Sequence, residues 1–181
     1  ISDRLGAVSA AEIVTTMSDR LVAWSSATIL LVTAVYARML FNLRRYRVDD
    51  YRGSYRLWRL AGWAAVALSF NAVVGGHLLL ARVLGQWSGW QLLPESVGWW
   101  LVPTGVIGGW LLAKLAFDAR ESRSALLAYI LAFGCFTAAG VASAGGVPAS
   151  LAVGADTLCR ALALAGNVML LAGTLLFVRY V

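Results

Sequence analysis

Beyond residue 20, the side chains able to do acid–base or ligand chemistry are few: six acidic residues, Asp49, Asp50, Glu95, Asp118, Glu121 and Asp156, one histidine, His77, and two cysteines, Cys135 and Cys159. Two separated cysteines and a lone histidine do not give the ligand spacing of a protein-only zinc site. A buried b-type haem wants two imidazoles, so His77 is a weak cofactor candidate that would need a second copy or another ligand type. No phosphate loop, nucleophile elbow, His-Glu-x-x-His or dinucleotide fingerprint occurs. The carboxylates lie at the ends of apolar stretches, where capping and ion pairing account for them; Asp118, Arg120, Glu121 and Arg123 read as a solvated, mixed-charge turn. The expectation is a protein with no cofactor, no metal and no catalytic residues.

The densest chemistry is instead cationic and aromatic. The stretch "LRRYRVDDYRGSYRLWRLAGW", Leu43 to Trp63, carries six arginines and two adjacent aspartates. Asp49 or Asp50 suits the N-cap of a helix and complements its dipole. From that start Tyr51, Tyr55 and Trp58 share one helical stripe and Arg52, Arg56 and Arg59 the adjacent one. Rings in the headgroup layer beside arginines on lipid phosphate make an interfacial anchor; docking of a partner and binding of acidic lipid are the alternatives.

The elements that must position these residues follow from composition. Of the 181 residues, 60% are apolar and 13% charged, the mean hydropathy is +0.75, and a soluble domain has about 25% charged residues. Uncharged runs at Leu21–Ala37, Leu60–Ala81, Ser96–Ala113, Ser124–Ala155 and Ala161–Val178 each reach the roughly 17–25 residues that cross a hydrocarbon core. The longest contains "GGVP", Gly145 to Pro148, where a turn is expected. The runs do not alternate as barrel strands do. The reading is an all-α polytopic membrane bundle, with spans at about 21–43, 57–84, 97–117, 124–144 and 156–179 after a short amphipathic segment, 1–20, opened by a capping box at Ser9–Glu12. Residues 1–20 lack the pattern of a secretory signal, and the start on Ile1 reads as part of a longer product.

Arginine and lysine concentrate in the first and third connections and are missing from Gln86–Glu95 and Gly145–Ala155. That asymmetry puts the N-terminus outside and the C-terminus in the cytoplasm. It also accounts for the net charge of +6 without nucleic acid. Trp24, Trp87, Trp90, Trp99 and Trp100 form an aromatic belt at the outer face, with the loop Gln86–Trp100 lying in the headgroup plane. Asn71 and Asn167 fall near the midplane at one depth, within reach of each other. Arg82 and Asp156 stand at similar heights near the outer ends of the second and fifth spans, where an ion pair is expected. Cys135 and Cys159 fall at different depths, beyond disulfide reach. Small residues along the fourth and fifth spans, among them Ala128, Ala132, Gly140, Ala165, Gly166 and Gly173, predict that those helices pack as a close hairpin.

The block "LRRYRVDDYRGSYRLW", with "LVAWSSATILL" upstream, resembles a pattern in uncharacterised multi-span membrane proteins of bacterial, planctomycete-type genomes. The resemblance spans the first helix and the start of the second and implies a bacterial inner membrane, without an activity. Few buried polar groups and abundant packing surface favour a non-catalytic subunit, scaffold or anchor of a larger membrane complex, with the lipid bilayer and protein partners or further copies around it. An oligomeric channel or transporter lined by Asn71 and Asn167, and a lipid- or quinone-binding protein, are the alternatives.

Overall fold

A computed structural model describes residues 10–46, 55–88, 98–145 and 155–181. Those residues form six helices, α1 (Ala10–Arg45), α2 (Tyr55–Val74), α3 (Gly76–Ser88), α4 (Gly98–Asp118), α5 (Arg123–Ser143) and α6 (Ala155–Tyr180), and no strand. Five of them, all but α3, are long and apolar enough to cross a membrane. The chain is an all-helical, multi-pass bundle. The four connections that carry turn signals in the sequence are where its helices stop, because the glycines and charges there do not extend an apolar helix.

One boundary differs from the sequence expectation. The second crossing is divided by Gly75, which adopts a positive φ of 65°; its N–H still bonds the Asn71 carbonyl, 2.8 Å away, and the next helix starts on Gly76. Only glycine takes that left-handed conformation without a Cβ clash. Apolarity alone reads 57–84 as continuous, since a Gly-Gly pair is tolerated within many membrane helices.

The order of contact around the bundle is α2, α1, α6, α5, α4, with α3 packed chiefly on α4 and α4 also touching α2. The two most extensive interfaces are α5 on α6 and α1 on α2. In lipid, close backbone approach replaces the missing hydrophobic drive, and both interfaces show how. At α5–α6, aromatic rings on one helix cover glycines on the other. A Cβ on Gly166 would lie 2.8 Å from the Phe136 ring, and one on Gly173 would lie 3.0 Å from Tyr129. The expected hairpin therefore forms as a ring-over-glycine interface. At α1–α2, the buried face of α2 runs Trp58, Ala61, Gly62, Ala65, Ser69, and Ser69 Oγ donates to the Ala27 carbonyl of α1 at 2.8 Å.

The end of α5 follows the same glycine logic. Gly145 takes φ 80° and the Ala144 N–H closes on the Gly140 carbonyl at 3.0 Å, a left-handed helix stop. The turn expected at Gly145–Pro148 thus begins where it should, and the rest of it lies outside the described residues. So do Ser9, Asp49, Asp50, Tyr51, Arg52, Trp90 and Glu95.

Candidate functional site: a polar and aromatic clasp

The ends of α1, α4 and α6 and the starts of α2 and α5 meet at one end of the bundle, the end that bears the arginine block. There the Asp118 carboxylate, on the last residue of α4, receives two donors on one oxygen. The Arg44 guanidinium of α1 pairs with Oδ2, and the Trp58 indole N–H of α2 bonds the same atom at 2.9 Å. Asp118 and Arg44 side chains retain only 11% and 18% of their exposure, and Trp58 is 1% exposed. Phe177 of α6 closes the group: its ring stacks on Trp58 with centroids 5.3 Å apart and planes 15° apart, and the Arg44 guanidinium lies 5.5 Å from the Phe177 ring centroid. Tyr180 stacks on Phe177 in turn and donates its hydroxyl to Glu121 Oε2 at 3.2 Å.

Four crossings are thereby tied through one carboxylate and one ring. A buried carboxylate is costly unless paired and hydrogen-bonded, and here a guanidinium and an indole N–H share that task. So held, the group fixes α1, α2, α4 and α6 in register. One turn deeper, Tyr129 of α5 is fully buried, with its hydroxyl 3.3 Å from Thr174 Oγ1. The Thr174 hydroxyl donates to the Leu170 carbonyl, so Tyr129 is the donor to Thr174. The fifth helix joins the same assembly.

This arrangement corrects two sequence readings. Trp58 is not a headgroup-layer ring beside Tyr51 and Tyr55: it heads the small-residue seam of α2, spaced i, i+3, i+4, i+7 with Ala61, Gly62 and Ala65, and faces the interior. Tyr55 is half-buried, 5.7 Å from the Phe41 ring. Nor is Asp118 a member of a solvated turn, although Arg120, Glu121 and Arg123 are exposed as expected. Arg56 and Arg59 do face outward; Arg56 Nε reaches the Tyr55 hydroxyl, and the Arg59 guanidinium lies 6.0 Å from the Phe41 ring. The seam of small residues running on from Trp58 was the available signal that this ring points inward.

The intramembrane polar residues are arranged differently from expectation. Among the described residues no ion pair joins Arg82 to Asp156; the pair at that end is Arg160 with Asp19. The reason is the break at Gly75, after which α3 carries Arg82 against α4 rather than alongside α6. Asn71 and Asn167 do not bond each other: α2 and α6 pack on α1 rather than together, Asn167 is buried, and Asn71 Oδ1 sits beside the break, 3.4 Å from where a Cβ on Gly76 would lie. His77 falls in α3, with its side chain outside the described set. Cys135 and Cys159 are free thiols, and Cys159 donates to the Ala139 carbonyl of α5. No cluster of metal-ligating side chains occurs among the described residues.

No protein-family model, curated protein or solved structure matches the chain.

Proposed function

We propose that the chain is a non-catalytic subunit or scaffold of a larger complex in a bacterial inner membrane, set with the clasp end in the cytoplasm. The observation that supports this most is α4. Of its central apolar stretch 6% is buried within the chain, against 44% for α1. Lipid can cover apolar side chains without cost, but it does not explain glycines there. Gly105 and Gly108 of α4 have open space where a Cβ would project, and each glycine in a helix interior forgoes about 1 kcal/mol relative to alanine. Bare backbone of this kind suits the close approach of another transmembrane helix. The cytoplasmic orientation rests on the arginines and lysine collected at the clasp end.

Extraction of the protein from its own membrane in mild detergent tests the reading. A particle larger than one chain is expected, and Gly105→Leu with Gly108→Leu should release the chain from it without lowering its own thermal midpoint. A monomer in native extracts would overturn the proposal. A symmetric ring of identical chains conducting ions would favour the channel alternative.

A further inference from the structure

A second feature, between α1 and α2, concerns what the bilayer itself supplies. Between α1 and α2 lies an open groove of about 300 Å³. Its floor is the Ala27–Ser69 contact, and its walls are Trp24 and Leu31 on α1 and Phe70 and Val73 on α2. The groove exists because small residues bring the helices together at the floor while large ones stand at the rims. The Ser69 hydroxyl is already spent on the Ala27 carbonyl, and that of Thr28 on the Trp24 carbonyl. Nothing polar is left to hold water, which needs two to four polar partners. The volume falls at the lower end of the range for small-ligand sites, about 300–1,000 Å³.

What stands above the groove sets its occupant. Arg20 precedes Trp24 by one turn on the face that continues through Ala27 and Leu31, and it is exposed. Among the described residues it has no ion pair, because the neighbouring carboxylate, Asp19, is engaged by Arg160 of α6. Helical side chains lean toward the N-terminus, so this guanidinium reaches outward, toward headgroup level. From Arg20 to Leu31 is about 16 Å at 1.5 Å per residue, close to half of a hydrocarbon core about 30 Å thick. A cation at the interface above an apolar groove one leaflet deep matches a phosphate above an acyl chain.

We propose that this groove is a phospholipid site, with one acyl chain lying between α1 and α2 and the lipid phosphate held by Arg20. The guanidinium suits phosphate because its paired N–H donors match two phosphate oxygens.

The full chain, in nanodiscs of phosphatidylcholine doped with phosphatidylglycerol bearing a photoreactive acyl chain, provides the test. Labelling should concentrate on the stretches 24–31 and 66–74, above that on Val106 and Ile107 of α4, which are more exposed than Leu31. Arg20→Ala should cut groove labelling about fivefold, equivalent to ~1 kcal/mol for one interfacial cation, and Arg20→Lys should restore part of it. Thr28→Trp, placed at the exposed rim, should block labelling at 66–74 with α4 labelling unchanged. Equal labelling of groove and α4, or indifference to Arg20→Ala in protein of unchanged thermal midpoint, would overturn the site. So would efficient disulfide formation between two copies through Thr28→Cys, which would make a second chain the occupant.

Discussion

Asp118 decides more about this molecule than any residue with obvious chemistry. Its one oxygen accepts from Arg44 and from Trp58, so removing it strands a guanidinium and an indole N–H with little exposure to water. Asp118→Ala is expected to cost about 3 kcal/mol, the scale for breaking a buried pair by deleting one member, read as a fall in thermal midpoint in detergent. Trp58→Phe retains the ring against Phe177 but loses the N–H, for about 2 kcal/mol, the range of a hydrogen bond to a charged group. Replacing Arg44 and Asp118 together by Met and Leu should cost much less than the sum of the two single changes, because neither charge is then left alone. Additive losses in that cycle would show that the two side chains act separately. None of this was visible as a pairing in the sequence. Arg44 reads there as an orientation signal and Asp118 as part of a turn, because the partners are 74 residues apart and no periodicity links them.

At the scale of helices, the apolar runs announced the third, fourth and fifth apolar helices to within a few residues, since a hydrocarbon core admits few other structures, whereas the first starts earlier than expected and the second ends about ten residues early, at Val74. The close α5–α6 hairpin was also legible, because small residues repeat at helical spacing. Two finer features were not. The kink at Gly75 turns on a dihedral that glycine permits but does not announce, and with it went the expected Arg82–Asp156 pair. The inward face of Trp58 depended on which side of α2 meets α1, which the small-residue seam Ala61, Gly62, Ala65 marks but the aromatic and arginine spacing of the block obscures. The glycines now make separate predictions by position. Gly166→Ala should destabilise the bundle by about 1–3 kcal/mol, the usual range for overpacking, because the Phe136 ring occupies that space. Gly173→Ala should do likewise, against a Tyr129 ring held in place by Thr174. Gly134→Ala, where a Cβ meets nothing within 4 Å, should be neutral or slightly stabilising in the same thermal assay, through helix propensity alone.

For the whole molecule, the two ends are fastened unequally. The arginine-block end has a carboxylate, a guanidinium and two stacked rings, Trp58 and Phe177, largely withdrawn from water. At the opposite end the ion pair among the described residues, Arg160–Asp19, keeps 46% and 49% side-chain exposure, and exposed pairs contribute at most about 1 kcal/mol. Arg160→Ala should therefore leave the thermal midpoint nearly unchanged, whereas any clasp substitution lowers it. Hydrogen exchange should follow the same gradient, slowest in the last turns of α1 and α6 and fastest around α3, since local opening tracks the density of buried contacts.

The clasp also has a consequence in time. Its members come from α1, α2, α4 and α6, so a chain emerging segment by segment cannot assemble it until Phe177 has entered the bilayer. Until then Trp58 has no ring to stack against, and the pair formed by Arg44 and Asp118 lacks its cover. The insertion of α6 thus completes the clasp. A chain halted before Phe177 would present a half-covered charge pair and an unstacked indole at the membrane boundary, the kind of surface by which quality-control proteases tell an unfinished product from a finished one.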